Sequence, residues 1–258
     1  MTLPTRLWLG MLGLCFASLA LLITLRICDN RDVARYWRAL DTNALEETFT
    51  RDMVADLPEP AQRYFLQAIE PGTPLATSVR LRVRKSKLWS GEGPRQELIA
   101  SGIVSPKRGF VWEGRLRTSW GYVALATGSL DNDRIERESF MGLLPLRPTR
   151  RSLGLYTEAE QRLFESVFCP AALLPLQGVR WEAVDSRTVR AIIGRGSKAT
   201  TLTLTIDDNG RLRKIRHDAD DTTVFVLDYT GFDGYTIPTH VQIGRHRQIV
   251  VEGGWFKY

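Results

Sequence analysis

The sequence predicts a mainly β, α+β protein: a large curved antiparallel sheet or half-barrel of about 10–12 strands, covered by one helix. An N-terminal transmembrane helix and short amphipathic helices precede it. Three observations predict this. Residues 7–25 form an uninterrupted apolar run, and from Ser78 onward apolar residues recur with a period of two. The segments that carry this alternation are joined by short connections, whereas parallel strands need long crossovers, so antiparallel pairing follows.

The 258 residues, 43% hydrophobic and 25% charged, exclude wholesale disorder. Lys and Arg (35) exceed Asp and Glu (29), giving a net charge of +6. That balance suits anionic lipid or nucleic acid, and equally a solvated surface. Cys15, Cys28 and Cys169 are odd in number and scattered, which excludes a disulfide framework.

The apolar run, LWLGMLGLCFASLALLITL, carries no charge, and Arg6 and Arg26 flank it. At about 1.5 Å per helical residue it approaches the roughly 30 Å of a bilayer's hydrocarbon core. A cleaved signal peptide has a shorter core, and the small residues Ser18 and Ala20 are followed by more apolar chain, so the expectation is an uncleaved anchor. Ile27 before Cys28 is not the small residue a lipoprotein signal needs. Arg26, Arg31, Arg35 and Arg38 outnumber Arg6, a count that favours a cytoplasmic domain.

Residues 29–70 are predicted helical, with DNRDVARYWRAL offering N-cap acceptors and Pro60 in a first turn. PGTP at 71–74 ends the regime. SVRLRVRKSKLW then sets Val79, Leu81 and Val83 against Arg80, Arg82 and Arg84, one strand face each. Eleven further strand segments follow by the same rule, ending in IVVEGGWFKY. Asn209-Gly210 is a hairpin turn signal. Thr157 and Glu160 form a capping box that begins a helix over 157–168. The predicted organisation is therefore an anchor at 1–28, a helical linker and cap at 29–75, and a β domain at 76–258 holding the inserted helix.

Chemistry is sparse. His217, His240 and His246 lack helical ligand spacing; His217 with Asp218, Asp220 and Asp221 reads as a polar hairpin loop rather than a metal site. In the Asp207–Gly210 turn, calcium-loop alignment puts Thr205 and Arg216 where carboxylates belong. Gly194 to Lys198 lacks phosphate-loop spacing, and Cys169 beside Pro170 reads as a buried, inert thiol. Glu158, Glu160 and Glu165 read as helix-start carboxylates. The stripe Arg80, Arg82, Arg84, Lys85 and Lys87 has only Trp89 to stack a base, so no nucleic-acid partner is expected. No metal or cofactor is expected either.

Residues RLFE at 162–165, PAALLP at 170–175 and GVRWEA at 178–183 carry a resemblance. With LPEPAQRYFLQAIEPGTP as its opening, the chain is similar over 57–250 to an uncharacterised bacterial domain family of unknown function, whose pattern runs R-x-L-x-E, A-L-L-P and G-V-x-W. It departs from that pattern in having Phe168-Cys169 where the family has Trp-Phe. TLTLTIDDNGRLRKI and VLDYTGFDGYTIPTHVQI also resemble the outer-membrane lipoprotein carrier fold. That resemblance implies an antiparallel half-barrel with a helical lid that binds acyl chains in its concave face, in the periplasm at the inner membrane. The site expected from it is an apolar cavity lined by Trp112, Phe168, Leu173, Leu174 and Trp181. The expected function is non-catalytic binding of a lipid or other hydrophobic ligand by a membrane-anchored domain. Two alternatives remain: a cell-envelope scaffold with a filled core whose edge or basic face binds protein, and a hydrolase using Glu165 with Asp228 or His240.

Overall fold

The computed structural model describes residues 3–88, 96–131, 133–146, 163, 166–194, 196, 199–219, 221–244 and 247–256. Among them are two α-helices, α1 (Leu3–Leu40) and α2 (Glu59–Ala68), and strands β1 (Val79–Leu88), β2 (Gln96–Ser105), β3 (Gly109–Thr118), β4 (Gly121–Leu130), β5 (Asp133–Phe140) and β6 (Leu144–Leu146). The second half supplies β7 (Arg180–Ala183), β8 (Thr188–Ile193), β9 (Thr200–Ile206), β10 (Leu212–His217), β11 (Thr223–Phe232), β12 (Tyr235–Ile243) and β13 (Arg247–Phe256).

All 13 strands join one antiparallel sheet in the order β6-β5-β4-β3-β2-β1-β13-β12-β11-β10-β9-β8-β7. Each strand pairs with its chain neighbour except at the middle, where β1 meets β13. The outermost strands are the short ones, Leu144–Leu146 with a proline inside and Arg180–Ala183. Short edges, and a proline in one of them, leave few free donors to template a further strand. β6 is absent from the predicted set because three residues around Pro145 carry no readable alternation. Register shifts in the β1–β13 and β11–β12 ladders bend the sheet locally.

The two faces are covered differently. On the inner face one apolar cluster runs from Leu125 on β4 to Val189 on β8 and takes in Phe65 of α2 and the segment around Phe168. On the outer face Val33, Tyr36 and Leu40 of α1 pack against Ile103, Val111 and Ile135. Gly102 on β2 lets the Trp112 indole lie flat on the inner face; a Cβ there would sit 2.4 Å from the ring.

Of the region 29–70 predicted helical, the two ends are helical, in α1 and α2, and the middle is not. α1 stops at Leu40, and residues 45–49 run extended beside 72–75, with Leu45 N–H donating to the Leu75 carbonyl (2.9 Å) and Phe49 N–H to Thr73 (2.8 Å). Phe49 is wholly buried by this path. A 3-10 turn (Arg51–Val54) and α2 follow. Tertiary burial of Phe49 outweighs the weak local helix preference of a short segment.

Leu163 and residues 166–168 are helical, while the predicted cap at Thr157 and Glu160, with Glu158 and Glu165, lies outside the described residues. The joint beyond is two 3-10 turns, Pro170–Leu173 and Pro175–Gln177, each opened by its proline and the second closed by Gly178 at φ 83°. The Asn209-Gly210 hairpin forms as predicted between β9 and β10. Gly210 sits at φ 79°, and a Cβ there would meet the Arg63 carbonyl at 2.4 Å, so the turn also docks α2.

Among the described residues no helix is long and apolar enough to cross a membrane. The side chains of Leu7, Leu9, Gly10 and Leu25 fall outside that description. From residue 11 to residue 21 every α1 side chain is exposed.

Two predictions follow from the packing. The buried Tyr235 hydroxyl accepts from Ala76 N–H (2.8 Å) and donates to the Pro74 carbonyl (2.8 Å), tying the 71–77 strap to β12. Tyr235→Phe orphans both groups and is expected to cost about 1–3 kcal/mol, read by urea denaturation. Burial pushes the Asp207 carboxyl up, but Arg211 N–H, the Arg213 guanidinium and Asn209 N–H together hold it below the usual range. A carboxyl depressed by folding stabilises above its unfolded value, about 3.9, and that stabilisation disappears as pH falls through the lower folded value. Asp207→Asn should therefore unfold more readily than wild type at pH 7, with the gap in urea midpoint closing in acid.

Candidate functional site

Trp112, Phe168, Leu173 and Leu174 are buried in the inner-face cluster, and Trp181 packs half-buried against it. Trp181 Nε1 donates to the Leu173 carbonyl (3.0 Å), and the indole meets the Phe65 ring edge-on at 5.5 Å. The five residues thus belong to one cluster. A gap beside Tyr64, Val167, Pro170 and Tyr229 amounts to about 10 Å³, no more than one water needs.

The phenols at that gap are not poised for proton transfer at neutral pH. Burial pushes both Tyr64 and Tyr229 upward, Cys169 adding to the first and the Tyr64 phenol to the second. Tyr229 donates its hydroxyl proton to the Leu212 carbonyl.

Open space lies on the other side of the sheet. Between α1 and the outer face of β2–β6 is a crevice of about 450 Å³. Its helix wall carries Leu22, Arg26, Asn30 and Val33, which recur every three to four residues and so share one face. Its sheet wall is low because Ala124 and Ala126 alternate with inward-facing Leu125 on β4. Arg115 and Arg137 rise from the neighbouring strands, and Arg26 closes one end.

Polar contacts hold α1 in place along this crevice. Arg137 Nη2 pairs with Asp32 Oδ2 at 2.6 Å, Arg35 with Asp133 at 2.9 Å, and Trp37 Nε1 donates to Glu113 Oε2 at 2.8 Å. The Arg115 guanidinium lies 5.3 Å above the Tyr122 ring. Arg26, Arg115 and an Arg137 paired with Asp32 stand with the carboxylates of Glu113 and Glu138 over a floor of small apolar side chains, a mixed-charge lining that suits a zwitterionic head, with an apolar wall for an attached chain.

Sequence reasoning missed this place because it divided the chain at residue 28, between Arg26 and Asn30. The signal available was the Leu22, Arg26, Asn30 and Val33 spacing, which continues the helix face across that boundary.

Other candidate chemistry is accounted for locally. Asp218 accepts from Thr203 Oγ1 (2.7 Å) and lies near Arg190 and Arg216, and Asp221 pairs with Arg216. Asp220 and His246 lie outside the described residues. Among the described residues no three His, Cys, Asp or Glu side chains come together as a metal site. Strand register sets Asp228 opposite His240 across β11 and β12, a juxtaposition the sequence spacing did not predict. Asp228 Oδ1 accepts its own neighbour's Tyr229 N–H (2.8 Å). Arg80, Arg82 and Arg84 are exposed on the outer face as expected, Arg80 paired with Asp41 at 2.5 Å, while the Lys85, Lys87 and Trp89 side chains lie outside the description.

A family model described as a family of unknown function, DUF6544, matches residues 47–251. No curated protein matches the chain. Among solved structures, the chain is similar to a DUF1329 family protein from Desulfovibrio piger, at 10% identity and TM-score 0.42 over 70% of this chain and 86% of that one. It is also similar to a domain described as an outer membrane lipoprotein-sorting protein from Vibrio parahaemolyticus, at 12% identity and TM-score 0.40 over 77% and 91%.

Glu113→Ala removes the acceptor of the Trp37 indole at the crevice. The expected outcome is a loss of about 1 kcal/mol confined to α1. Hydrogen exchange should quicken across residues 30–40 and stay unchanged in β8 and β9.

Proposed function

This chain belongs to DUF6544, a family of unknown function, and from that premise we propose a membrane-anchored, non-catalytic domain that binds a lipid. One observation carries the reading. The crevice of about 450 Å³ opens beside Leu22 and Arg26, where the apolar run of α1 reaches the sheet. That volume is in the range of small-molecule sites. The run at 7–25 is apolar on every side, and its described side chains from 11 to 21 are exposed, as a helix whose partner is hydrocarbon requires. Arg26 at its end suits the headgroup level.

This reading moves the ligand from the inner face to the outer one. Trp112, Phe168, Leu173, Leu174 and Trp181 then serve as core, because an acyl chain beneath them would have to displace the segment already packed there. The reading also sets the domain on the periplasmic side of the inner membrane, against the arginine count. A C-terminal phosphatase reporter that stays inactive would overturn that placement.

Native mass spectrometry of the full chain extracted gently from membranes is expected to show a retained lipid. Ala124→Phe fills the crevice floor and should lower retention about tenfold, equivalent to 1.4 kcal/mol of binding, with the urea midpoint unchanged. Extracted protein without lipid, or lipid that Ala124→Phe does not disturb, would sink the proposal.

A second reading, an envelope scaffold, is favoured by Phe225, Leu227 and Trp255, which stand exposed on the outer face with Arg82 5.2 Å over the Trp255 ring. One stoichiometric crosslinked protein at that patch, with no lipid retained, would select it.

A further inference from the structure

The β3–β4 and β5–β6 turns present apolar side chains that nothing in the described chain covers. Trp120 is 85% exposed, Leu143 53%, Leu144 52% and Met141 48%. Contiguous apolar exposure of this kind marks a contact surface. The two turns are locked into one edge: Met141 N–H donates to the Tyr122 carbonyl (2.9 Å), and the Tyr122 hydroxyl donates to the Met141 carbonyl (2.9 Å).

The course of α1 says which surface this edge meets. At the opposite end of the sheet Arg108 donates to the Ala39 carbonyl and Arg35 pairs with Asp133, so the C-terminal end of α1 lies by the β2–β3 and β4–β5 turns. The helix then climbs the outer face to the other end, where a Cβ on Gly142 would lie 3.4 Å from the Arg26 guanidinium. Leu25 and the apolar run begin at once beyond Arg26. Any bilayer that takes up the run must therefore lay its headgroups at the height of the β5–β6 turn, within the roughly 5–8 Å depth of an interfacial layer.

We infer that this end of the sheet, bearing Trp120, Met141, Leu143 and Leu144, rests in the headgroup layer of the same bilayer that α1 enters. The inference depends on α1 being the anchor and adds a second point of contact. Composition agrees: Trp120 and Tyr122 stand with Arg26, Arg115 and Arg117 at this edge, the aromatic and cationic mixture that membrane interfaces select. Two contacts, one spanning and one lying flat, fix the tilt of the sheet and turn the mouth of the crevice toward the lipid.

The test uses the full chain, with Cys15 and Cys28 replaced by Ser, in vesicles of phosphatidylcholine and phosphatidylglycerol. A nitrobenzoxadiazole label is placed at Trp120→Cys, at Leu144→Cys and at Lys107→Cys, the last exposed at the far end of the sheet. Labels at 120 and 144 are expected to emit from an apolar setting and to be quenched by headgroup-proximal nitroxide lipids, while the label at 107 is not. Labels at 120 and 144 as wet as that at 107, on protein that resists alkaline carbonate washing, would overturn the inference and leave the anchor standing. Apolar emission without nitroxide quenching would mean a second copy covers the edge, and would also overturn it. Quenched labels on protein that carbonate removes would sink the anchor, and with it the inference that edge and helix share one bilayer.

Discussion

One ladder holds this molecule together: the antiparallel pairing of β1 with β13, from Val79 opposite Phe256 to Leu88 opposite Arg247. Every other ladder joins strands adjacent in sequence, closed by local turns of low entropic cost. Without the central ladder the sheet would be two meanders, β1–β6 and β7–β13, each with a long free edge. With it, the residues of both halves form one inner-face cluster. The central ladder closes the longest loop in the sheet, so it is the step on which cooperative folding depends.

The helices are consequences of how that sheet is faced. Its inner face is apolar from β4 to β8, and burial of that face requires cover. α2 and the two proline-opened turns around Leu173 supply it. Wide aromatic side chains need local room, which Gly102 makes for Trp112. On the outer face Ile103, Val111 and Ile135 are buried against α1, and beside them small side chains and arginines leave a gap. The buried inner-face cluster and the outer crevice are thus two results of one pattern of alternation.

Close packing of the inner-face cluster stabilises the sheet. The helix that walls the crevice is held to the sheet by ion pairs, by the Trp37 indole bond and by the packing of Val33, Tyr36 and Leu40. The contacts of Asp32, Trp37 and Glu113 set the position of α1 beside the crevice.

The alternation from Val79 to Phe256 was legible because a half-buried strand imposes a period of two on its own residues, and the Asn209-Gly210 turn because only certain residues tolerate its dihedrals. The apolar run at 7–25 was legible for the same reason, a local composition with a local cause. The resemblance to a family of unknown function was legible in the PAALLP and GVRWEA motifs and holds over residues 47–251. The extended path of residues 45–49 was not legible, because it depends on a partner at 72–75 distant in sequence, and neither was β6, whose three residues are too few to show an alternation. The candidate site belongs with these. Arg26, Asn30, Arg115 and Arg137 come from a helix and two strands, and what brings them together is the side of the sheet on which α1 comes to rest. Local sequence sets which residues alternate, turn or avoid water; only the tertiary contacts between distant segments decide which of them cover each face of the sheet.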